Sequence, residues 1–150
     1  MDLNDEILID APRDAVYAAL NDPEVLRACI PGCEELIQTS ESDLEAKVVL
    51  KVGPVKARFG GTVTLDRSGA PGSFSLQGQG NGGAAGHAKG GAVVRLEERG
   101  AQTLLIYDAK AEIGGKLAQL GSRLIQSTAR KLAGKFFTAF ADQMKSPQTA

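Results

Sequence analysis

Residues 114–145 read GGKLAQLGSRLIQSTARKLAGKFFTAFADQMK, and the way this stretch packs decides the fold. From Lys116 onward no proline interrupts it. Ile125, Ala129, Leu132, Phe136, Phe140 and Met144 step by three or four and share one helical face. Leu117, Leu120 and Leu124 form a first stripe rotated from that one, so the buried face is broad or the helix bends. The spacing predicts one helix over residues 116–145, about 45 Å long at 1.5 Å per residue. A lone helix gains little stability in water, so this one must pack on a surface built by the preceding chain.

That surface reads as mostly β. Ile7 and Ile9 alternate in an opening strand that ends at Ala11-Pro12. Pro12 suits the start of a short helix carrying Val16, Tyr17 and Leu20. Asp22-Pro23 opens a second short helix, stopped by Pro31-Gly32. From Glu34 to Ile113 the period becomes two. Leu44, Ala46, Val48, Leu50 and Val52 alternate with charged residues, then Val55, Ala57, Phe59, Gly61, Val63 and Leu65 after a Gly53-Pro54 turn. Further strands carry Phe74 and Leu76, Val94 and Leu96, and Leu105, Tyr107, Ala109, Ala111 and Ile113. About six antiparallel strands with one wet and one covered face follow from this pattern. The fold class is α+β: a bent antiparallel sheet wraps one long helix, and the helix pair closes one end. Residues 1–145 form a single domain, and the polar residues 146–150 read as a flexible tail.

Charge is unevenly spread. Residues 116–145 hold six of the 17 Lys and Arg but one of the 18 Asp and Glu. A basic helix on an acidic body suits an anionic partner or membrane surface, although a solvated helix face reads the same way. Lys116, Arg123 and Arg130, seven apart, mark one edge of the predicted helix, and Lys131 widens it. Phe137 lies off the main apolar stripe, which makes it a candidate exposed contact. No secretory leader opens the chain, and no run approaches the roughly 18 apolar residues of a membrane span. A cytoplasmic protein is expected, with any membrane contact peripheral.

Several motifs invite a chemistry they do not support. Gly78, Gly80 and Gly83 spell G-x-G-x-x-G, but the following AAGHAKGG opens no helix to receive a pyrophosphate, so no nucleotide is expected; no nucleic-acid partner is expected either. Cys29 and Cys33 with the lone His87 cannot complete a zinc site, and no basic neighbour in the local sequence suggests an activated thiol. One histidine without a nucleophile elbow makes no hydrolase triad. No catalytic and no metal-binding residues are assigned. Seven of the 18 glycines fall between Gly78 and Gly91. They thin the strand walls, leaving room either for helix side chains to sink deep or for a ligand.

The order of elements resembles the helix-grip fold of the START-like (SRPBCC, Bet v 1-like) superfamily. Within it, four motifs resemble the CoxG family, named for the G subunit of carbon monoxide dehydrogenase: CIPGCEEL (29–36), KVGPVKARFGG (51–61), the glycine-rich run (78–91) and GGKLAQLG (114–121). The resemblance spans about residues 2–145. It implies an accessory protein of a molybdenum hydroxylase of the carbon monoxide dehydrogenase type, linked to attaching that enzyme to the cytoplasmic membrane. It also implies a lipophilic quinone as ligand, held in the helix-grip cavity. Anchoring members of the family often extend into a Pro/Ala-rich linker and amphipathic tail, whereas this sequence ends at Ala150, so anchoring by this chain alone is not expected.

By alternation, a cavity would be walled by Phe59, Val63, Phe74, Leu76, Leu105 and Tyr107, with Leu117, Leu120, Leu124 and Ile125 from the helix. Each could equally be ordinary core. Two other readings stand beside a ligand carrier. One is a superfamily enzyme of cyclase or lyase type, for which inward carboxylates are hard to nominate. The other is a ligand-free assembly factor.

Overall fold

The computed structural model describes residues 1–145; the tail expected at 146–150 lies outside the described residues. The chain opens with β1 (Asp2–Ile9), α1 (Arg13–Leu20) and α2 (Pro23–Cys29). Six strands follow: β2 (Cys33–Gln38), β3 (Asp43–Val52), β4 (Val55–Asp66), β5 (Ser73–Asn81), β6 (His87–Arg99) and β7 (Gln102–Gly114). A 3-10 turn (Gly115–Leu120) then leads into α3 (Ser122–Lys145). All seven strands form one antiparallel sheet in the order β1-β7-β6-β5-β4-β3-β2. The architecture is the expected curved sheet gripping a C-terminal helix.

Local chemistry accounts for the short helices. Asp22 caps α2 by accepting the Glu24 amide at 3.0 Å, and Pro23 occupies the first turn, where its missing N–H costs nothing. The buried Thr103 hydroxyl donates to the Ala11 carbonyl at 2.7 Å, fixing the corner between β1 and α1 on the neighbouring β7.

The long helix departs from the sequence reading. It begins at Ser122, not Lys116, and its 24 residues span about 36 Å. Gly121 breaks the run: its φ of +95° is unfavourable for any residue with a Cβ. Leu117 and Leu120 therefore belong to the 3-10 turn, and Lys116 is not on the same helix as Arg123 and Arg130. Gln126 ties the first turns of α3 to the sheet edge by donating to the Asp2 carbonyl at 2.8 Å.

The core lies under the second half of α3. Fully buried Phe140 packs with Ile9, Val16, Leu105, Phe74, Val94 and Tyr107. Phe136 stacks on Phe140 with ring centroids 6.0 Å apart. Because each strand runs antiparallel to its neighbours, the sheet has two poles. The N-terminus and the turns at 53–54, 82–86 and 114–121 lie at one. The turns at 39–42, 67–72 and 100–101 lie at the other, which α1 closes.

Candidate functional site

Strand register explains why the first half of α3 is not packed like the second. Inward positions in adjacent strands line up as Phe74–Val94–Tyr107 and Leu65–Leu76–Ala92–Ala109 beneath the aromatic cluster. Moving toward the open pole, the next rows are Val63–Gly78–Gly90–Ala111 and Ala46–Gly61–Gly80–Ala88–Ile113. Large side chains give way to glycine and alanine in the middle of the sheet. The helix above does not drop into the gap, because its Phe136 and Phe140 are propped on the bulky rows.

The result is a cavity of ≈480 Å³ between the sheet and the first half of α3. Val48, Leu50, Phe59 and Val63 make one wall, and Ile125, Ala129 and Leu132 make the roof. Ile30, Pro31 and Leu117 stand at the open pole. The lining is almost wholly apolar. Thr128 is the polar residue contributed by α3, and Lys89 the charged residue at the margin. Among the described residues no carboxylate or histidine lines it. The space suits a lipophile of small-molecule size.

Two glycines serve the wall through close approach. A Cβ on Gly90 would fall on the Lys110 carbonyl, and one on Gly61 on the Gln79 carbonyl. Gly80 differs: a Cβ there would have only the Gly60 carbonyl within reach, at 3.8 Å. The first two let the strands bend tightly, and the third leaves the cavity empty.

Of the ten residues expected to line a cavity, Phe59, Val63, Leu117 and Ile125 do so. The other six lie elsewhere. Phe74, Leu105 and Tyr107 are buried in the aromatic core, with Leu76 packed against it. They share the inward face with the cavity residues but sit further along the strands, a distinction that alternation does not encode. Leu124 reaches toward the β3–β4 turn, where a Cβ on Gly53 would lie 2.8 Å from its Cδ2. Leu120, half-buried in the 3-10 turn, is also outside the lining. Missed were Val48, Leu50, Ala129 and Leu132, all on faces whose periodicity is visible, and Ile30-Pro31, whose only signal is the helix-stopping Pro-Gly.

The basic candidates are exposed. Lys116 lies on the 3-10 turn and Arg123, Arg130 and Lys131 on α3, and among the described residues none of them has an ion-pair partner. Phe137 is not an exposed contact. It is half-buried, stacked on Tyr107 at 5.2 Å and edge-on to Phe136 at 4.9 Å. The sheet wraps far enough round α3 to cover two columns of phenylalanine. Burial, with Asp5 nearby, pushes the Tyr107 phenol above its ordinary range, so it stays neutral.

Both cysteines are free thiols. Burial pushes each upward, and at Cys33 it outweighs the lowering by Arg27 and by a backbone hydrogen bond with Glu35. Arg27 is thus a basic neighbour that the local sequence reading overlooked. Of the nominal nucleotide fingerprint, Gly78 and Gly80 lie in β5 and Gly83 opens a three-residue 3-10 turn. His87 is exposed at the start of β6.

Comparison with known proteins bears directly on this arrangement. Residues 6–145 match the model of the CoxG family, described as the G subunit of carbon monoxide dehydrogenase. The chain belongs to the CoxG family. Among solved structures it is similar to a conserved protein from Geobacillus kaustophilus, with a TM-score of 0.90 and 27% identity over 96% of this chain and 95% of that one. A START superfamily protein from Mycobacterium smegmatis superposes with a TM-score of 0.77 at 12% identity, over 96% and 97% of the two chains. The Zhui aromatase/cyclase from Streptomyces sp. R1128 gives 0.71 at 13%, over 97% and 93%. The last two likenesses show the fold alone. No curated protein matches the chain. CoxG is a family of accessory type. Among the described residues no helix is long and apolar enough to cross a membrane.

Proposed function

We propose that this protein is a non-catalytic carrier whose cavity accommodates a lipophilic ligand, a quinone, in support of a molybdenum hydroxylase of the carbon monoxide dehydrogenase type at the cytoplasmic membrane. The observation that carries the ligand reading is the ≈480 Å³ apolar space walled by glycine backbone beneath Ile125, Ala129 and Leu132. A quinone ring and the first part of an isoprenoid tail match such a lining, which offers shape and dispersion rather than charge. Burial in the cavity removes the ring from water and asks no proton transfer of the protein. The hydroxylase partner rests on family membership, and its chemistry stays with that enzyme.

The likeness to an aromatase/cyclase supports a second reading, a cyclase-like enzyme on a hydrophobic substrate. Proton transfer during cyclisation needs an acid or base within reach of the substrate. The carboxylate-free lining favours the carrier. The test is to extract the purified native protein with organic solvent, identify any stoichiometric lipophile by mass spectrometry, and titrate the emptied protein with quinone. A retained or readily taken-up quinone supports the carrier. An empty extract with no uptake would sink it in favour of a ligand-free assembly factor, and turnover of an aromatic polyketide-like substrate would favour the enzyme. Co-purification of the hydroxylase with a tagged chain tests the partner.

A further inference from the structure

We propose that Thr128 sets which lipophiles the cavity accepts, its hydroxyl pairing with an oxygen of the bound molecule in both the quinone and the quinol state. The inference rests on the carrier reading and assigns the ligand chemistry of that same cavity to one residue. Thr128 lies on the inward stripe of α3 with Ile125, Ala129 and Leu132, and all four border the space. The helix starts at the open pole. At 1.5 Å per residue, Thr128 therefore stands about 4.5 Å inward of Ile125 and about 6 Å short of Leu132.

The hydroxyl has nothing to bind within the protein. A threonine inside a helix can relieve its hydroxyl on the carbonyl one turn back, but Thr128 does not. Among the described residues, the hydroxyls of Thr39, Thr64 and Thr103 are bonded to Asp43 or Ala11, and Thr62 and Thr138 stand exposed to water. Thr128 is half-buried and, among the described residues, has no hydrogen-bond partner. The two sheet rows across the cavity consist of Gly, Ala, Val and Ile, and their amides and carbonyls are joined in the strand ladders. Thr62, Gln79 and Lys89 also border the space, but they form an exposed row out of phase with the inward Gly61, Gly80 and Ala88. Among the described residues, Thr128 is thus the inward residue with a side-chain hydroxyl, amide or charge.

A polar atom left unmatched between apolar surfaces costs stability, and valine would fill the same space without that cost. The hydroxyl is matched when the guest brings the partner. It both donates and accepts, so it can donate to a quinone carbonyl and accept from a quinol hydroxyl, and the two redox states are held alike. Its depth also selects. An acyl chain lying with its head at the mouth would set hydrocarbon against Thr128, and among the described residues no inward cation is present to draw a carboxylate in.

Calorimetric titration of the lipid-stripped protein tests this with three probes: menadione, anaerobic menadiol, and the trimethylnaphthalene in which methyl groups replace both menadione oxygens. Thr128→Val weakens menadione and menadiol alike by about three- to tenfold, the worth of one hydrogen bond. It leaves the hydrocarbon bound as well as before or better. Thr128→Ser, which keeps the hydroxyl, restores most of the loss, and the empty Thr128→Val protein melts at or above the wild-type temperature. Equal loss for all three probes with a lowered melting temperature assigns Thr128 to packing and overturns the proposal. Unchanged menadione binding, or loss confined to one redox form, overturns it too. Failure of the wild type to bind any of the three refutes the carrier reading itself, whereas binding indifferent to Thr128 refutes this assignment alone.

Discussion

The two halves of the space under α3 have the same sheet, the same roof and the same alternation, yet one is solid and the other hollow. In the solid half, Phe74, Val94 and Tyr107 meet Phe136, Phe137 and Phe140. In the hollow half, Gly61, Gly78, Gly80 and Gly90 meet Ile125, Ala129 and Leu132. Inward side-chain size, row by row, separates core from cavity, while the backbone geometry is shared. The solid half also holds the helix at a height that keeps the other half open.

The largest stability change should come from the solid half. Phe140→Ala removes a fully buried ring at the centre of the stack and should cost about 3–5 kcal/mol in a denaturant melt. A loss below about 1 kcal/mol would mean that the aromatic cluster does not prop the helix. Next comes Gly90→Ala. Its added methyl meets the Lys110 carbonyl, and strained packing of this kind costs about 1–3 kcal/mol. Gly80→Val should sharpen the contrast, because space is available at that Cβ. Expected is a melting point close to wild type with quinone binding weakened at least about tenfold, as side-chain volume enters the cavity. Unchanged binding in a folded Gly80→Val would place the ligand elsewhere.

The smallest effect concerns pH. Hydrogen bonds from Thr64 (2.7 Å) and Ser40 hold the Asp43 carboxyl below its ordinary range. A depressed folded-state pKa contributes stability above the unfolded value and loses it as pH falls through the folded one. Glu34, lowered by Arg58, behaves likewise. The melting temperature should therefore fall as pH drops below about 4, and Thr64→Val should raise the Asp43 pKa and flatten part of that fall. An NMR titration showing no shift of Asp43 in Thr64→Val would remove this assignment.

The fold is legible because its signals are periodic: two-residue alternation from Glu34 to Ile113 and a three-to-four step after Leu124. The family is legible in four short motifs. Less of the site can be read. Alternation shows which way Phe59 and Tyr107 face but not that their positions along the strands put them in different halves. The stop at Gly121 depends on a backbone angle, which a proline-free sequence conceals. Helical spacing misplaces Phe137 because the arc of α3 that is covered depends on sheet curvature, a property of all seven strands together. The glycine run carries the right physical message, absence of filler, although sequence does not say what occupies the space.

Where the cavity wall is glycine main chain, a guest meets no side chain whose rotamer must be frozen. Ordering a flexible side chain at an interface costs about 0.5–1.5 kcal/mol, and Gly61, Gly78, Gly80 and Gly90 have none to order. Loading and unloading then require little reorganisation of the host in either direction. Under the proposed carrier role, a container of this kind trades grip for turnover.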